Sequence, residues 1–235
     1  MFASPIPTAV RNTVVAHSTL SGDRQPVILI GGGGHAKVVA DILEGVPSLF
    51  PRGYVDARPV EGTWLPHLGT DDRLPELLAQ GMTQVHVAIG DNRVRERLFR
   101  HVLALGFEAP AIISPFARIS ARARIGRGVV IMPGAVVNAD ATVADFAVIN
   151  TCASVDHDCQ IGTAAHIGPG THLAGNVTVG MRSFLGVGCS VPPGVVIGND
   201  VMVGAGSVVV RPLPDDVVAY GVPAIARRSN IKKSS

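Results

Sequence analysis

The chain has 235 residues, with 20 Lys and Arg against 18 Asp and Glu, a formal charge of +2 and only 16% charged residues. That balance leaves no basic footprint for nucleic acid and no polybasic surface for an anionic membrane. Three cysteines, none in a CxxC pair, fit a reducing cytoplasm rather than a disulfide scaffold.

Residues 1–25 carry Ser, Thr, Pro and scattered charge, with no apolar run long enough for a signal peptide or membrane span. They read as a mobile extension. From residue 26 the texture changes. Pro26 to Ile30 is a short buried strand by composition, and Gly31-Gly32-Gly33-Gly34 opens a helix with Val38, Val39, Ile42 and Leu43 on one face. Gly53-Tyr54-Val55-Asp56 reads as a second strand and Leu74 to Gln80 as a short helix. Gln84 to Ile89 is a third strand, followed by Gly90-Asp91-Asn92 and a helix to about Leu105. Strands alternating with helices imply a small parallel sheet, half of a doubly wound fold.

Ligands of such sheets bind at the carboxyl ends of the strands. The Gly31–Lys37 segment, Asp56 and Gly90-Asp91-Asn92 all fall there. A glycine loop entering a helix offers backbone N–H groups and a favourable dipole to a phosphate. Gly31-x-Gly33-x-x-Ala36, with Asp56 twenty residues on, loosely satisfies a dinucleotide fingerprint. The unit lacks the second half that a dinucleotide needs, so a single nucleotide fits it better.

From Ile113 to Val209 every sixth residue is Ile, Val or Leu, without a slip, and four residues after each sits a small one such as Ala117, Ala123, Ala135, Cys159 or Cys189. Period six suits neither a helix nor an alternating strand; it is a signature of parallel β-helices. Three hexapeptides make an 18-residue coil of a triangular prism, with the aliphatic residue on the axis and the small one beside it. Cys159 and Cys189 are then core residues. The period does not set the hand of the coil.

Ile30-Gly31-Gly32-Gly33-Gly34-His35-Ala36-Lys37-Val38-Val39-Ala40-Asp41, Gly53-Tyr54-Val55-Asp56 and Ile89-Gly90-Asp91-Asn92 together resemble the amino-terminal domain of the NeuD/PglD-type sugar acyltransferases. Asn150-Thr151, Asp156-His157-Asp158-Cys159, His166, Ala174-Gly175-Asn176-Val177 and Gly221-Val222-Pro223-Ala224 extend the resemblance over about residues 26–228. It implies a left-handed coil and acetyl transfer from acetyl-CoA to a nucleotide-linked amino sugar or a sialic acid hydroxyl. It also implies a cytoplasmic homotrimer with its active sites in the clefts between subunits. Gly33, Gly34, His35, Ala36, Lys37, Asp56, Gly90 and Asn150 would meet the nucleotide sugar. His166, Gly175, Val187, Ala205 and Pro223 would meet acetyl-CoA, Arg227 and Arg228 its phosphates. Lys232 and Lys233 read as a solvated basic terminus.

His157 follows the inward Val155 by two residues, so its ring should leave the core at a corner. Transfer to an amine needs a base, and imidazole suits it; Asp158 is placed to orient the ring. Gly175, eighteen residues on, lies directly above His157, where its N–H can meet a developing oxyanion. The bland alternatives are a surface histidine beside a surface aspartate and a glycine that merely eases a turn. His166 is half a coil away and cannot touch His157 within one chain. His157, His166 and His172 project from different faces, so no metal is expected. A cysteine nucleophile is also a poor reading, since Cys159 points inward and Cys152 has no evident base.

The expected fold is therefore an α/β amino-terminal half-Rossmann domain followed by a left-handed parallel β-helix of hexapeptide repeats. The expected segments are 1–25, 26–111, 112–211 and a cap and tail over 212–235. The expected activity is N-acetylation of a UDP- or GDP-linked 4-amino-deoxy sugar for a surface glycan. Sugar O-acetylation is the near rival, and a non-catalytic nucleotide-sugar binding module the distant one. Ala57 stands where the family often has a second acid, one associated with uridine nucleotides, which keeps GDP open.

Overall fold

The computed structural model describes residues 24–230. The amino-terminal unit is a four-stranded, all-parallel sheet in the order β3-β2-β1-β4, built from β1 (Gln25–Ile30), β2 (Leu49–Val55), β3 (His67–Gly69) and β4 (Gln84–Val87). Both faces of β1 are covered, which explains its unbroken apolar run. Val27 and Leu29 pack on Ala36, Val39 and Leu43 of α1 (Gly34–Gly45). Ile28 and Ile30 pack on Leu74 and Leu77 of α2 (Leu74–Ala79) and on Phe99 and Val102 of α3 (Asn92–Ala104).

The repeat region is a left-handed parallel β-helix. Sixteen two-residue strands, β5 (Ile112–Ile113) to β20 (Met202–Val203), form three parallel sheets. Partners are one 18-residue coil apart: Val148 with His166, Ser154 with His172, Thr142 with Gln160. The first face carries Val130, Val148, His166, Phe184 and Met202, the second Val136, Ser154 and His172, and the third Thr142, Gln160 and Thr178. The aliphatic sixth residues fill the axis with the small residues between them; Ile149, Val155, Cys159, Ala165 and Cys189 are fully buried. Non-glycine corner residues take positive φ, Asp158 at 61° and Asn176 at 59° among them. Short polar side chains tolerate that region best.

Four features differ from the sequence expectation. Gln25 already belongs to β1, and the Arg24 guanidinium bonds the carbonyls of Leu43, Glu44, Val46 and Leu49, so the expected extension stops short of them; residues 1–23 lie outside the described residues. Strand β3 was not expected, because three residues are too few to show an alternation. The third strand ends at Val87 rather than Ile89. Beyond Pro214 the chain does not merely cap the prism: β21 (Val217–Gly221) continues the first face in parallel, and β22 (Ala224–Ser229) folds back on it antiparallel.

The amino-terminal unit sits on the first face. Val130, Met132 and Val148 join the α1 cluster, and Phe146 and Ala164 join the α3 cluster. Arg95 of α3, 1% exposed, fastens the two units. Its Nε donates to the Phe146 carbonyl at 2.9 Å, Nη1 to the Ile89 and Gly90 carbonyls at 3.1 Å, and Nη2 to Asn92 Oδ1 and the Ala164 carbonyl at 2.8 Å. All five donors of the guanidinium are thereby used. Asn92 Nδ2 in turn donates to the Arg182 carbonyl at 2.8 Å. Arg95→Leu removes every one of these donors and leaves carbonyls dry and unpaired. It should lower unfolding stability by about 3 kcal/mol or more, read as a shift in the urea midpoint.

Candidate active site

Two separate constellations emerge. The first is at the corner between the second and third faces. His157 projects there, its side chain 60% exposed, and its Nδ1 lies 2.8 Å from Asp158 Oδ2. That bond puts the proton on Nδ1 and leaves Nε2 as a base. The carboxylate of Asp158, then the charge of Asp156, raises the His157 pKa above its ordinary value. A better base results. Gly175 is in the coil directly above: a Cβ built on it would stand 2.5 Å from both Cε1 and Nε2 of His157. Only a missing side chain lets the ring lie there. The Gly175 N–H makes no hydrogen bond among the described residues, and its carbonyl accepts from the Gly194 N–H. Asp156, which the sequence reading did not single out as a site residue, accepts from the His157 N–H at 2.7 Å and from Asn138 Nδ2 at 2.8 Å.

The second constellation is at the carboxyl ends of the amino-terminal strands, where the glycine loop and Asp56 do meet. Asp56 Oδ2 accepts the Gly32 N–H at 3.0 Å, while Oδ1 accepts that of Ala57 at 2.7 Å. Gly32 packs under the Tyr54 ring, where any Cβ would collide. Gly33 and Gly34 have open space where a Cβ would be. Helix α1 has no side-chain cap, so the first N–H groups of the helix are left for an anion. Helix α3 contrasts with it: Asp91 caps it by accepting from the N–H groups of Arg93 and Val94. Lys37 lies on the first turns of α1, half-buried, and Ala36 is buried, so only its backbone can serve a ligand.

Between the glycine loop and the prism lies a cluster of histidines, two of which were expected at the site for other reasons. His166 is not solvated. It is 7% exposed on the first face, its ring edge-on to Phe184, with Nε2 2.9 Å from Asn150 Nδ2. Its Nδ1 has no hydrogen-bond partner, nor has His35 Nε2, and the two rings are 6.5 Å apart. His86, fully buried on β4, leaves both ring nitrogens unpartnered and packs edge-on to Phe99. Burial first, then the neighbouring Arg95 or histidine charge, pulls His35 down to about 4 and His86 and His166 to about 3. His86 was missed by the sequence reading. Its signal was a polar residue set between Val85 and Val87 on a fully buried strand.

Val187, Ala205 and Pro223 are all exposed at the carboxyl-terminal end of the prism. Gly90 borders a cleft of about 230 Å³ lined also by Arg93, Arg182, Phe184 and Met202. That cleft belongs to the first face and does not include His157. His172 is on the second face and bonds Ser154 Oγ at 2.8 Å. Among the described residues, no three His, Cys, Asp or Glu side chains gather as metal ligands, and no helix is long and apolar enough to cross a membrane.

Residues 26–102 match the family model of the PglD N-terminal domain. PerB from Caulobacter crescentus, solved in complex with CoA and GDP-perosamine, is 50% identical, with a TM-score of 0.82 over 86% of this chain and 97% of PerB. The acetyltransferase domain of PglB from Neisseria gonorrhoeae, solved with acetyl coenzyme A, is 37% identical, with a TM-score of 0.81 over 88% of this chain and 100% of that domain. WeeI from Acinetobacter baumannii, at 22% identity and a TM-score of 0.73 over 86% of this chain and 100% of its own, shares the fold. No curated protein sequence matches.

The buried histidines carry a pH signature. An unfolded histidine titrates near 6.5 and these fold with depressed values, so unfolding takes up protons below pH 6.5 and stability falls as pH drops toward the folded values. Between pH 7 and pH 5, His86 alone should account for about 2 kcal/mol of lost stability. Urea unfolding at the two pH values should show a smaller loss in His86→Leu than in the native chain.

Proposed function

Because the chain belongs to the NeuD/PglD-type sugar acyltransferase family, we propose that it is an acetyl-CoA-dependent N-acetyltransferase. Its acceptor would be the amino group of a nucleotide-linked 4-amino-deoxy sugar, the product destined for a surface glycan. The observation that carries the chemistry is the His157 corner: a ring oriented by Asp158, made more basic by two carboxylates, and seated on a glycine. The relative bound to GDP-perosamine, together with Ala57 in place of a second acid, puts a GDP-linked acceptor first. Acetyl-CoA and nucleotide sugars are both cytoplasmic, and the enzyme is placed there.

The amine nitrogen attacks the thioester carbon; the N–C bond forms as negative charge gathers on the carbonyl oxygen. His157 Nε2 takes the proton released from nitrogen. The Gly175 N–H is available to the oxyanion. Collapse breaks the C–S bond, and the proton goes from His157 to the leaving sulfur of CoA. No acyl-enzyme is needed. The nucleotide would be held by the N–H groups at the start of α1 around Gly34, His35 and Ala36, with Asp56 bracing the loop, and the sugar would extend past Gly90 and Asn150.

Topology also argues for a shared site. The amino-terminal unit covers the first face, whereas His157 stands at the corner opposite, between the second and third faces. A nucleotide sugar on one chain's glycine loop has the whole prism between it and that chain's own His157. A second copy, its His157 corner turned to the first copy's Asn150 side, completes the site. Any closed ring repeats this contact without end effects, and a homotrimer is the ring that the family resemblance implies.

Thiol release from acetyl-CoA should be seen with one member of a panel of UDP-, GDP- and dTDP-4-amino sugars and sialic acid, with GDP-perosamine turned over fastest. His157→Ala should lower kcat by about 10²–10⁴-fold. Turnover of sialic acid alone would move the acceptor to a hydroxyl, and retention of most of the kcat in His157→Ala would remove the base. For the shared site, His157→Ala and Gly34→Trp, each inactive alone, should regain turnover when unfolded and refolded together. Failure to complement, with mixed trimers present by native mass spectrometry, would place both parts of the site in one chain.

A further inference from the structure

We infer that Asn138 and Asp156, one coil apart at the His157 corner, form a positioning rung that aims and charges the catalytic imidazole. The inference rests on the proposed role of His157 as base. Asp156 Oδ1 accepts two hydrogen bonds, from Asn138 Nδ2 at 2.8 Å and from the His157 N–H at 2.7 Å. The second closes an Asx turn on the residue that must be aimed. The first ties that turn to the coil beneath, so Asp156 cannot swing into solvent without breaking both. Ring and rung are then held between two coils, Asn138 below and Gly175 above.

This rung differs from its neighbours on the same corner. One coil below, Arg122 pairs with Asp140 at 3.0 Å, an exposed ion pair whose charges cancel. Asp156 meets an amide instead, which holds the carboxylate without neutralising it. Asn138, followed by the His157 N–H, keeps Asp156 below the usual carboxylate range, so its charge persists at every working pH. The groups facing His157 are few. Asp158 bonds Nδ1, Asp156 supplies the second charge, Asp140 is spent on Arg122, and the coil above offers only Ala174, Gly175 and Asn176. A solvent-exposed histidine is thus flanked by two carboxylates and, among the described residues, no uncancelled cation. Asp158 selects the tautomer, while Asp156 fixes the backbone and adds field.

Two variants separate these parts. Asp156→Asn keeps an oxygen for the His157 N–H but removes the charge. The His157 ring signal, followed by ¹³C-edited NMR titration of the full chain without substrate, should move its midpoint down by about 0.5 unit or more. The acidic limb of kcat/KM for GDP-perosamine should move with it. Asn138→Ala keeps the charge and frees the turn. It should lower kcat by about three- to tenfold while both KM values and the melting temperature stay put. An unmoved NMR midpoint in Asp156→Asn would overturn the inference, as would native kcat in Asn138→Ala. Full activity in His157→Ala would instead sink the base assignment on which it rests, and the two failures are read separately.

Discussion

A buried guanidinium, hydrogen-bonded only to uncharged oxygens among the described residues, holds this molecule in shape. Arg95 is buried at the joint of the two units and gives all five of its protons to oxygens that carry no formal charge: four carbonyls and one side-chain amide. Two of those carbonyls, Phe146 and Ala164, belong to successive coils of the prism, and two, Ile89 and Gly90, to the loop that leaves β4. Burial pulls the group down to about 10, which still leaves it charged at neutral pH. A buried ion is tolerable only when its donors are satisfied. The joint therefore has one register in which the charge is accommodated, and slipping by a coil or a residue would strand it. Where the glycine loop stands relative to the prism follows from that register.

Burial shapes what surrounds it. The three histidines packed at the joint are held neutral first by their loss of water, and the neighbouring Arg95 and histidine charges add to that. His35 and His166 keep unpaired ring nitrogens 6.5 Å apart in ring spacing, between the glycine loop and the first face. At the far corner the logic reverses. His157 stands in solvent, flanked by two carboxylates, and is pushed the other way. One residue type is thus made a poor base at the joint and a good base at the corner by environment alone.

Much of this was legible in the residues. The unbroken six-residue period from Ile113 to Val209 calls for a stacked prism to bury it, without setting its hand, and the 18-residue coil places Gly175 over His157 by counting. The inward position of Cys159 and Cys189 follows from the same count. The alternation of strand and helix before Ile112 is equally plain. What was not legible depends on contacts between units. Arg95 reads as one more arginine on a helix with Arg93, Arg97 and Arg100, since nothing local distinguishes the one that turns inward. His166 has the spacing of an exposed strand residue, and only the docked amino-terminal unit buries it. The β21–β22 hairpin was hidden because Pro212 and Pro214 end the repeat, and a run ending in prolines reads as a stop rather than a pause.

The division of labour between the units then has a physical basis. A β-helix of two-residue strands has almost no freedom to move: each coil is tied to the next on three faces, and its corners are set by positive-φ turns such as that at Asp158. Such a scaffold can hold an imidazole to a fixed line, but it offers no crevice, because its interior is packed with aliphatic side chains and its faces are flat. The crevice has to come from something laid against it. The half-Rossmann unit supplies that at its strand ends, with an uncapped helix for an anion, and the Arg95 joint transfers the rigidity of the prism to it. Because the unit is docked on the face opposite the His157 corner, rigidity keeps the glycine loop and His157 apart within one chain. On the proposed shared site, catalysis would be a property of the contact between copies, and it would need no moving domain to bring acceptor and base together.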